Sequence, residues 1–230
     1  MIDVIPSGPF RTNSLVVHLD GPDVFIVDPA DSDFSADKGT IVSYLKKCEL
    51  NPVAVVLTHG HFDHVAGLQN LLDNFPDIPV LIHKNDSMMI GKGSEKVQEE
   101  ALELMGFGVF DPFVSNLPEC DFFLEDNKTL FEVLNVKNSK NNSKLNDWRV
   151  MWTPGHTRGS VCLYNKAERV LIAGDTIFYT SYGRTDLPGG SEIEIHKSIK
   201  KIVHEILGNT TVYAGHDECG FMLSSCYVYG

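Results

Sequence analysis

The 230-residue chain has few cysteines, and none of them forms a C-x-x-C pair. The five thiols are odd in number and scattered along the sequence: Cys48, Cys120, Cys162, Cys219 and Cys226. This pattern excludes a disulfide framework and a closed structural zinc site built from thiolates. Cys162 lies in an apolar segment and is expected in the core. Cys219 follows His216 by three residues and is a candidate neighbour of a metal ligand.

Basic residues are also scarce, with 19 Lys and Arg against 31 Asp and Glu, for a net charge of −12. An acidic surface repels nucleic acid and anionic membranes, so neither is expected as a partner. No apolar run approaches the length of about 20 residues that a spanning helix needs. Residues 1–6 lack the basic and apolar regions of a signal peptide. We therefore expect a soluble, cytoplasmic protein that acts on a small molecule, with homo-oligomerisation left open.

Short strands and helices alternate along the chain, and the second half repeats the layout of the first. A hairpin is predicted around Gly21 and Pro22, and residues 53–57 read as a buried strand. A polar tract at 138–144 predicts a loop or hairpin tip between the halves. Helices are predicted at 36–48, 65–72, 94–105 and 191–207. Further strands are predicted at 79–83, 148–152, 160–164, 169–173 and 210–214. Residues 1–230 are expected to form a single α/β domain, with two sheets between layers of helices.

A histidine or aspartate follows the end of an apolar strand at four places in the sequence. These are the run from Thr58 to His64, then His156, Asp175 and His216. Strand ends are rigid, and the loops that follow them converge on one edge of a sheet, where α/β proteins bind ligands. We expect these side chains to lie together.

The residue types predict two metal ions. Imidazole and carboxylate both bind zinc, and seven ligands are too many for one tetrahedral ion. His59, His61 and His156 are assigned to the first ion, and Asp63, His64 and His216 to the second. Asp175 has two carboxylate oxygens and can bridge the pair. Zinc is expected first, with iron or manganese also compatible with these ligands.

A hydroxide shared by two divalent cations exists at neutral pH and can attack a carbonyl carbon. One of the metals then stabilises the developing oxyanion. Asp63 and Asp175 are the candidate catalytic residues, Asp63 as a group that also orients the nucleophile. The predicted activity is metal-dependent hydrolysis.

Four blocks in the same order resemble the metallo-β-lactamase superfamily, and within it the glyoxalase II-like hydrolases. The blocks are 58–64, 154–160, 173–178 and 183–191, and the resemblance extends from about residue 5 to 217. It implies a four-layer αββα sandwich, the same ligand set, and hydrolysis of a thioester such as a hydroxyacyl-glutathione. Two departures are visible. Asp217 stands where the family usually has glycine, and the C-terminal helical segment that helps glyoxalase II hold glutathione is expected to be absent.

Four residues near the motifs are candidate substrate contacts: Arg158, Tyr179, Tyr182 and Arg184. Arg184 is also expected to form an ion pair with Asp186. Two alternatives to the hydrolase stay open. A mononuclear iron enzyme would resemble the sulfur dioxygenases of the superfamily, with His59, His156 and Asp175 on one iron. A non-catalytic metal-binding module is the other.

Overall fold

A computed structural model describes residues 1–115, 117–134 and 143–229. Six strands form the first sheet, in the order β1-β2-β3-β4-β5-β6. The first three strands pair antiparallel, and β3 to β6 pair parallel. Their bounds are Ile2–Ser7 (β1), Thr12–His18 (β2), Asp23–Val27 (β3), Asn51–Val56 (β4), Val80–His83 (β5) and Phe122–Leu124 (β6).

The second sheet has five strands in the order β11-β10-β9-β8-β7. Strands β9 and β10 are parallel, and the other neighbours are antiparallel. The strands are Trp148–Trp152 (β7), Val161–Asn165 (β8), Val170–Gly174 (β9), Thr211–Ala214 (β10) and Phe221–Met222 (β11).

The α-helices lie between these strands along the chain, and their bounds are Thr40–Lys47 (α1), Phe62–Val65 (α2), Leu68–Asn74 (α3), Glu95–Leu104 (α4), Leu130–Leu134 (α5) and Glu192–Glu205 (α6). Short 3₁₀ segments occupy Lys84–Met89, Gly108–Phe113, Ser143–Asp147, Leu223–Ser225 and Tyr227–Tyr229. Ser191 is the N-cap residue of helix α6, and its side chain accepts a hydrogen bond from the Glu194 N–H and so caps the first turn. In the described part of the chain, no helix has the length and apolar character needed to cross a membrane.

Alternating side chains on the first sheet explain two of the layers. Val16, Ile26 and Val55 pack against buried residues of α1 and α3. Their neighbours Val17 and Val27 point the other way, into the space between the two sheets. This period of two follows from the pleat of a strand and gives the sheet two buried faces.

The second sheet completes the arrangement. Leu163 and Ile172 face the first sheet, whereas Cys162 and Leu171 face helix α6. Helix α6 contributes an apolar stripe to that outer core, made of Ile195, Ile199 and Ile202. The predicted αββα sandwich is therefore confirmed, and Cys162 lies in its core as expected.

The structure differs from the sequence-based expectations in three details. The predicted helix over 65–72 covers only the last residue of α2 and most of α3, and these two helices are separated at Ala66 and Gly67. The strands β1, β6 and β11 were missed: β1 contains a proline, and the other two have only three and two residues. Most of the polar tract, residues 138–142, lies outside the described residues, and Ser143 and Lys144 begin a 3₁₀ segment.

Candidate metal centre

Ends of strands from both sheets carry the predicted ligands to one place. Strand β4 leads into the run from Thr58 to His64, and β9 and β10 lead into Asp175 and His216. Two backbone hydrogen bonds join the sheets here. Val161 N–H donates to the Thr58 carbonyl at 2.9 Å, and Asn13 N–H donates to the Gly215 carbonyl at 2.7 Å. These hydrogen bonds therefore fix the loops that carry the ligands relative to both sheets.

His59, His61 and His156 form the first trio, with ligand atoms within 4.8 Å of one another. His61 Nδ1 lies 2.9 Å from His156 Nε2, and His59 Nε2 is buried without a hydrogen-bond partner among the described residues. Burial and the neighbouring histidines hold the pKa values of His59 and His61 well below the ordinary value. These imidazoles are neutral at pH 7, as a metal ligand must be.

Asp63, His64 and His216 form the second trio, which meets the same 4.8 Å limit. His216 Nε2 lies 3.1 Å from Asp63 Oδ2 and 3.2 Å from His64 Nε2. The sequence predicts the same two trios, and the fold brings each together from residues far apart along the chain.

Asp175 lies between the trios. Its Oδ1 atom is 3.4 Å from His64 Nε2, and its Oδ2 atom is 3.6 Å from His156 Nε2 and 3.5 Å from His216 Nε2. Each carboxylate oxygen therefore faces ligand nitrogens, and Asp175 contacts both trios. Its Oδ1 atom is buried and accepts no hydrogen bond from any of the described residues.

The hydrogen bonds of three histidines show that this set of atoms fits cations. His64 Nδ1 donates to Asp28 at 2.9 Å, His156 Nδ1 donates to the Arg184 carbonyl at 2.7 Å, and His216 Nδ1 faces the Phe10 carbonyl at 3.3 Å. In a neutral imidazole, the second nitrogen then carries a lone pair. If both rings are neutral, the lone pairs of His64 and His216 face each other across 3.2 Å, and a proton or a metal cation between them would stabilise this arrangement.

The electrostatics of the second trio agree with this reading. Burial lowers the pKa of His64, but Asp175, Asp63 and Asp28 outweigh it and raise that pKa to about 10. Burial likewise opposes ionisation of Asp63, and the nearby His64 and His216 nonetheless lower its pKa. Carboxylates that favour a proton on His64 also favour a divalent cation at its Nε2 atom.

Asp28 was not predicted, and it supports the second trio from behind. Its carboxylate accepts hydrogen bonds from the Thr58 N–H at 2.8 Å, the Thr58 hydroxyl at 2.6 Å and His64 Nδ1 at 2.9 Å. A carboxylate on the outer nitrogen fixes the tautomer of a ligating histidine. Asp28 follows the apolar strand β3, so the strand-end rule that found the ligands could have found it too.

Asp86 was also missed, because nothing in its local sequence distinguishes it. It is buried, and it accepts hydrogen bonds from Gly60 N–H at 3.2 Å, Thr157 Oγ1 at 2.6 Å and Gly159 N–H at 2.7 Å. These donors belong to the two loops that carry the first trio. Asp86 therefore ties the His59–His61 loop to the His156 loop.

The unusual residue after His216 has a backbone explanation. Asp217 has a φ of 57°, in the left-handed region where glycine is the least strained residue. Its carbonyl accepts a hydrogen bond from Asn13 Nδ2 at 3.2 Å. Cys219 donates to the Ala214 carbonyl at 3.3 Å, and burial raises its pKa to about 11. Among the described residues, Cys219 belongs to none of the clusters whose ligand atoms lie close enough to hold a metal ion.

A cavity of about 320 Å³ opens over the trios. Its floor consists of the metal-facing residues His61, Asp63, His156, Asp175 and His216. Its other lining residues are Phe10, Met105, Phe107, Phe178, Leu187 and Arg184. The volume is of the size that proteins use for small ligands.

Only one of the four predicted substrate contacts lines this cavity. Arg184 does, and its guanidinium donates to both oxygens of Asp186 at 2.7 and 2.8 Å. The side chain of Arg158 instead lines a separate groove on the other side of the His156 loop, with its stem against Gly189.

The two tyrosines also lie outside the described lining of the cavity. The Tyr179 ring packs on Phe221, with the ring centroids 5.4 Å apart. The Tyr182 hydroxyl donates to Glu192 at 2.7 Å. Proximity in sequence to the motifs predicted these contacts, but the direction of each side chain, which decides them, is set by packing.

The sequence profile of the metallo-beta-lactamase superfamily matches residues 7–216. The chain belongs to this superfamily. With the histidine and aspartate clusters, this membership indicates a protein of the metallo-hydrolase class that binds divalent metal ions.

Similar proteins cover nearly the whole chain. An uncharacterized protein of Aquifex aeolicus (strain VF5) is 34% identical over 217 residues, which cover 94% of this chain and 89% of that protein. The probable metallo-hydrolase YqgX of Bacillus subtilis (strain 168) is 29% identical over 212 residues, covering 92% and 88%. A hydroxyacylglutathione hydrolase of Buchnera aphidicola subsp. Baizongia pistaciae (strain Bp) is 27% identical over 195 residues, covering 85% of this chain and 58% of that protein.

Two solved structures are similar along their full length. The BLEG-1 B3 metallo-beta-lactamase has a TM-score of 0.78 at 28% identity, with 98% of this chain and 95% of that chain covered. TTHA1623 in a di-iron-bound form has a TM-score of 0.70 at 25% identity, with 97% and 96% covered.

Proposed function

We propose that this protein is a dinuclear metal-dependent hydrolase that cleaves thioesters, and a hydroxyacyl-glutathione is the reference thioester for its assay. One observation carries the proposal: Asp175 contacts both ligand trios at the floor of a cavity open to a small molecule. The hydroxyacylglutathione hydrolase among the similar proteins supports the choice of a thioester. Zinc is the proposed metal, and the di-iron-bound similar structure makes iron the alternative to test.

Two divalent ions, when bound, supply a hydroxide at neutral pH and a Lewis acid for the carbonyl oxygen of the substrate. The residues of this chain would bind the two ions, orient the reacting groups and shield the site from water. Asp63 and Asp175 supply the negative charge at the centre, and Asp63 remains the candidate for orienting the attacking group. Asp28 and the Arg184 carbonyl hold His64 and His156 with their Nε2 atoms toward the centre. A substrate that covers the apolar lining would displace water from the cavity, which strengthens electrostatic interactions in the site.

The ligand count favours this reading over a mononuclear iron enzyme. One iron on His59, His156 and Asp175 would leave the second trio, held by Asp28, without a cation. Buried charged and polar groups are costly without partners. Metal stoichiometry separates the two functions, because the hydrolase requires two ions per chain.

Chelation tests the proposal directly. Protein stripped of metal is assayed with S-lactoylglutathione, and again after zinc or iron is restored, with a lactone and a cephalosporin as comparison substrates. We expect thioester turnover that disappears on stripping and returns with metal. Asp175→Asn is expected to lower kcat/KM at least about 100-fold, since it removes charge stabilisation of several kcal/mol. Asp31→Asn, which alters a buried carboxylate that belongs to neither trio and accepts a hydrogen bond from the Gly39 N–H, serves as the control.

Turnover that survives complete metal removal would overturn the proposal. Loaded protein that turns over only the cephalosporin or the lactone would change the substrate class. Loaded protein that turns over none of the three would support the non-catalytic metal-binding module.

A further inference from the structure

The walls of the cavity differ sharply from its floor. The five ligand residues on the floor are polar, whereas the surrounding side chains are almost all apolar: Phe10, Met105, Phe107, Phe178 and Leu187. Apolar surface of this kind gains free energy when it is covered by apolar groups of a ligand, in rough proportion to the area buried. The part of the substrate closest to these walls should therefore be hydrocarbon.

The aromatic part of the wall is built in, and it is connected to the metal motif. Phe10 contacts Phe107 and Phe110, with ring centroids 4.9 and 5.5 Å apart. Phe110 in turn contacts Phe62, at 5.7 Å, and Phe62 lies inside the run of metal ligands. Phe110 and Phe62 are buried, so they hold Phe10 and Phe107 from behind. A wall fixed in this way needs little ordering when a ligand binds.

Polar recognition in the cavity is limited. Apart from the metal-facing residues, Arg184 is the one charged side chain in the described lining. Both oxygens of Asp186 already accept hydrogen bonds from it, which offsets its charge. A peptide-like leaving group with two carboxylates and several amides would therefore find few partners here. Such a group is better placed outside the cavity mouth, in water.

From this division we propose that the cavity binds the acyl group of the thioester, and that it selects an aliphatic or aromatic acyl group over a small hydroxyacyl group. The inference rests on the proposed hydrolase function and names its acyl specificity. Phe10 and Phe107 are the specificity residues, because they form the aromatic wall that an acyl chain would cover. The carbonyl carbon then lies at the ligand floor, and the thiol portion points outward.

An acyl series on one thiol tests this in zinc-loaded protein. The probes are acetyl, butyryl, hexanoyl and benzoyl thioesters of N-acetylcysteamine, with lactoyl as the polar comparison. We expect kcat/KM to rise about threefold to fourfold per added methylene until the cavity is filled, from the transfer free energy of a buried CH₂. Hexanoyl should exceed lactoyl at least about tenfold. In a second series, with one acyl group on different thiols, kcat/KM should vary less than it does in the acyl series.

Variants of the aromatic wall test whether its residues cause the dependence of kcat/KM on acyl length. Phe107→Ser should lower the ratio of hexanoyl to acetyl kcat/KM about fivefold, because it removes part of the apolar surface. Leu104→Ser is the matched control, since Leu104 precedes Phe107 by three residues, is 63% exposed and lies outside the described lining. It should leave the ratio within about twofold of the wild type.

The outcomes separate this inference from the proposed function. Thioester turnover with no dependence on acyl length, or with dependence on the thiol alone, would overturn the acyl assignment and leave the hydrolase standing. The absence of turnover with every thioester would overturn both. A Leu104→Ser effect equal to that of Phe107→Ser would contradict the assignment of the wall.

Discussion

The replacement Asp28→Asn tests how the second trio is held. Asp28 is buried, and one of its oxygens accepts the proton of His64 Nδ1. In the asparagine variant, the Thr58 N–H can keep a carbonyl acceptor, but an amide NH₂ would face His64 Nδ1. His64 would then be favoured as the other tautomer, with its proton on Nε2, the atom that faces Asp175 and His216.

The magnitude follows from the hydrogen bond that is lost. A hydrogen bond to a charged group contributes about 1.5–3 kcal/mol, which corresponds to about 10–150-fold in affinity. Loss of the outer partner of a ligating histidine lowers metal affinity by a similar factor, about 10–100-fold. We therefore expect the zinc site of the second trio to lose affinity by about 10–100-fold, while the site of the first trio changes less.

Competition between the protein and a chromophoric chelator measures both affinities. Asp31→Asn is the control, because Asp31 lies in the same loop, is equally buried and bonds the Gly39 N–H rather than a ligand. A folded Asp28→Asn protein that binds two zinc ions as tightly as the wild type would refute the reasoning. An equal loss in Asp31→Asn would show that the loop, rather than the tautomer of His64, is responsible.

Three further predictions concern pH and stability. Since His64 has a pKa raised to about 10, a proton competes with the second ion below that pH. Metal affinity should rise up to about tenfold per pH unit between about pH 7 and 9, with about one proton released, and calorimetry in buffers of different ionisation enthalpy checks this. No proton release would contradict it. Asp86→Ala leaves three donors without their acceptor and should lower the free energy of unfolding by about 3 kcal/mol in urea titrations, with Asp86→Asn losing less. An unchanged urea midpoint would refute this. Asp217→Gly should raise that free energy by up to about 1 kcal/mol, because the φ of 57° suits glycine, and a decrease would contradict the strain argument.

Much of the fold was predictable from hydrophobic patterning. The alternation at Val16 and Val17 and the stripe at Ile195, Ile199 and Ile202 each place a layer, so two sheets between helices follow from sequence. The seven candidate ligands could be found because each follows an apolar strand, and parallel strand ends meet at one edge. Short edge strands such as β11 carry too few residues for a period to show.

The residues that sequence could not place are those whose role depends on side-chain direction or on distant partners. Asp86 acts through donors on two remote loops, and no local pattern marks it. Arg158 adjoins the His156 motif, yet its side chain lines a different groove. The apolar cavity wall joins Phe10 to Phe107, which are far apart in the chain, through packing that only the folded structure reveals.

Anomalous diffraction from metal-loaded crystals, measured at the zinc and iron edges, tests the central claim most directly. The account predicts two peaks per chain, one among His59, His61 and His156 and the other among Asp63, His64 and His216, with Asp175 contacting both. A single peak with the second trio unligated, in protein that is fully active, would contradict it.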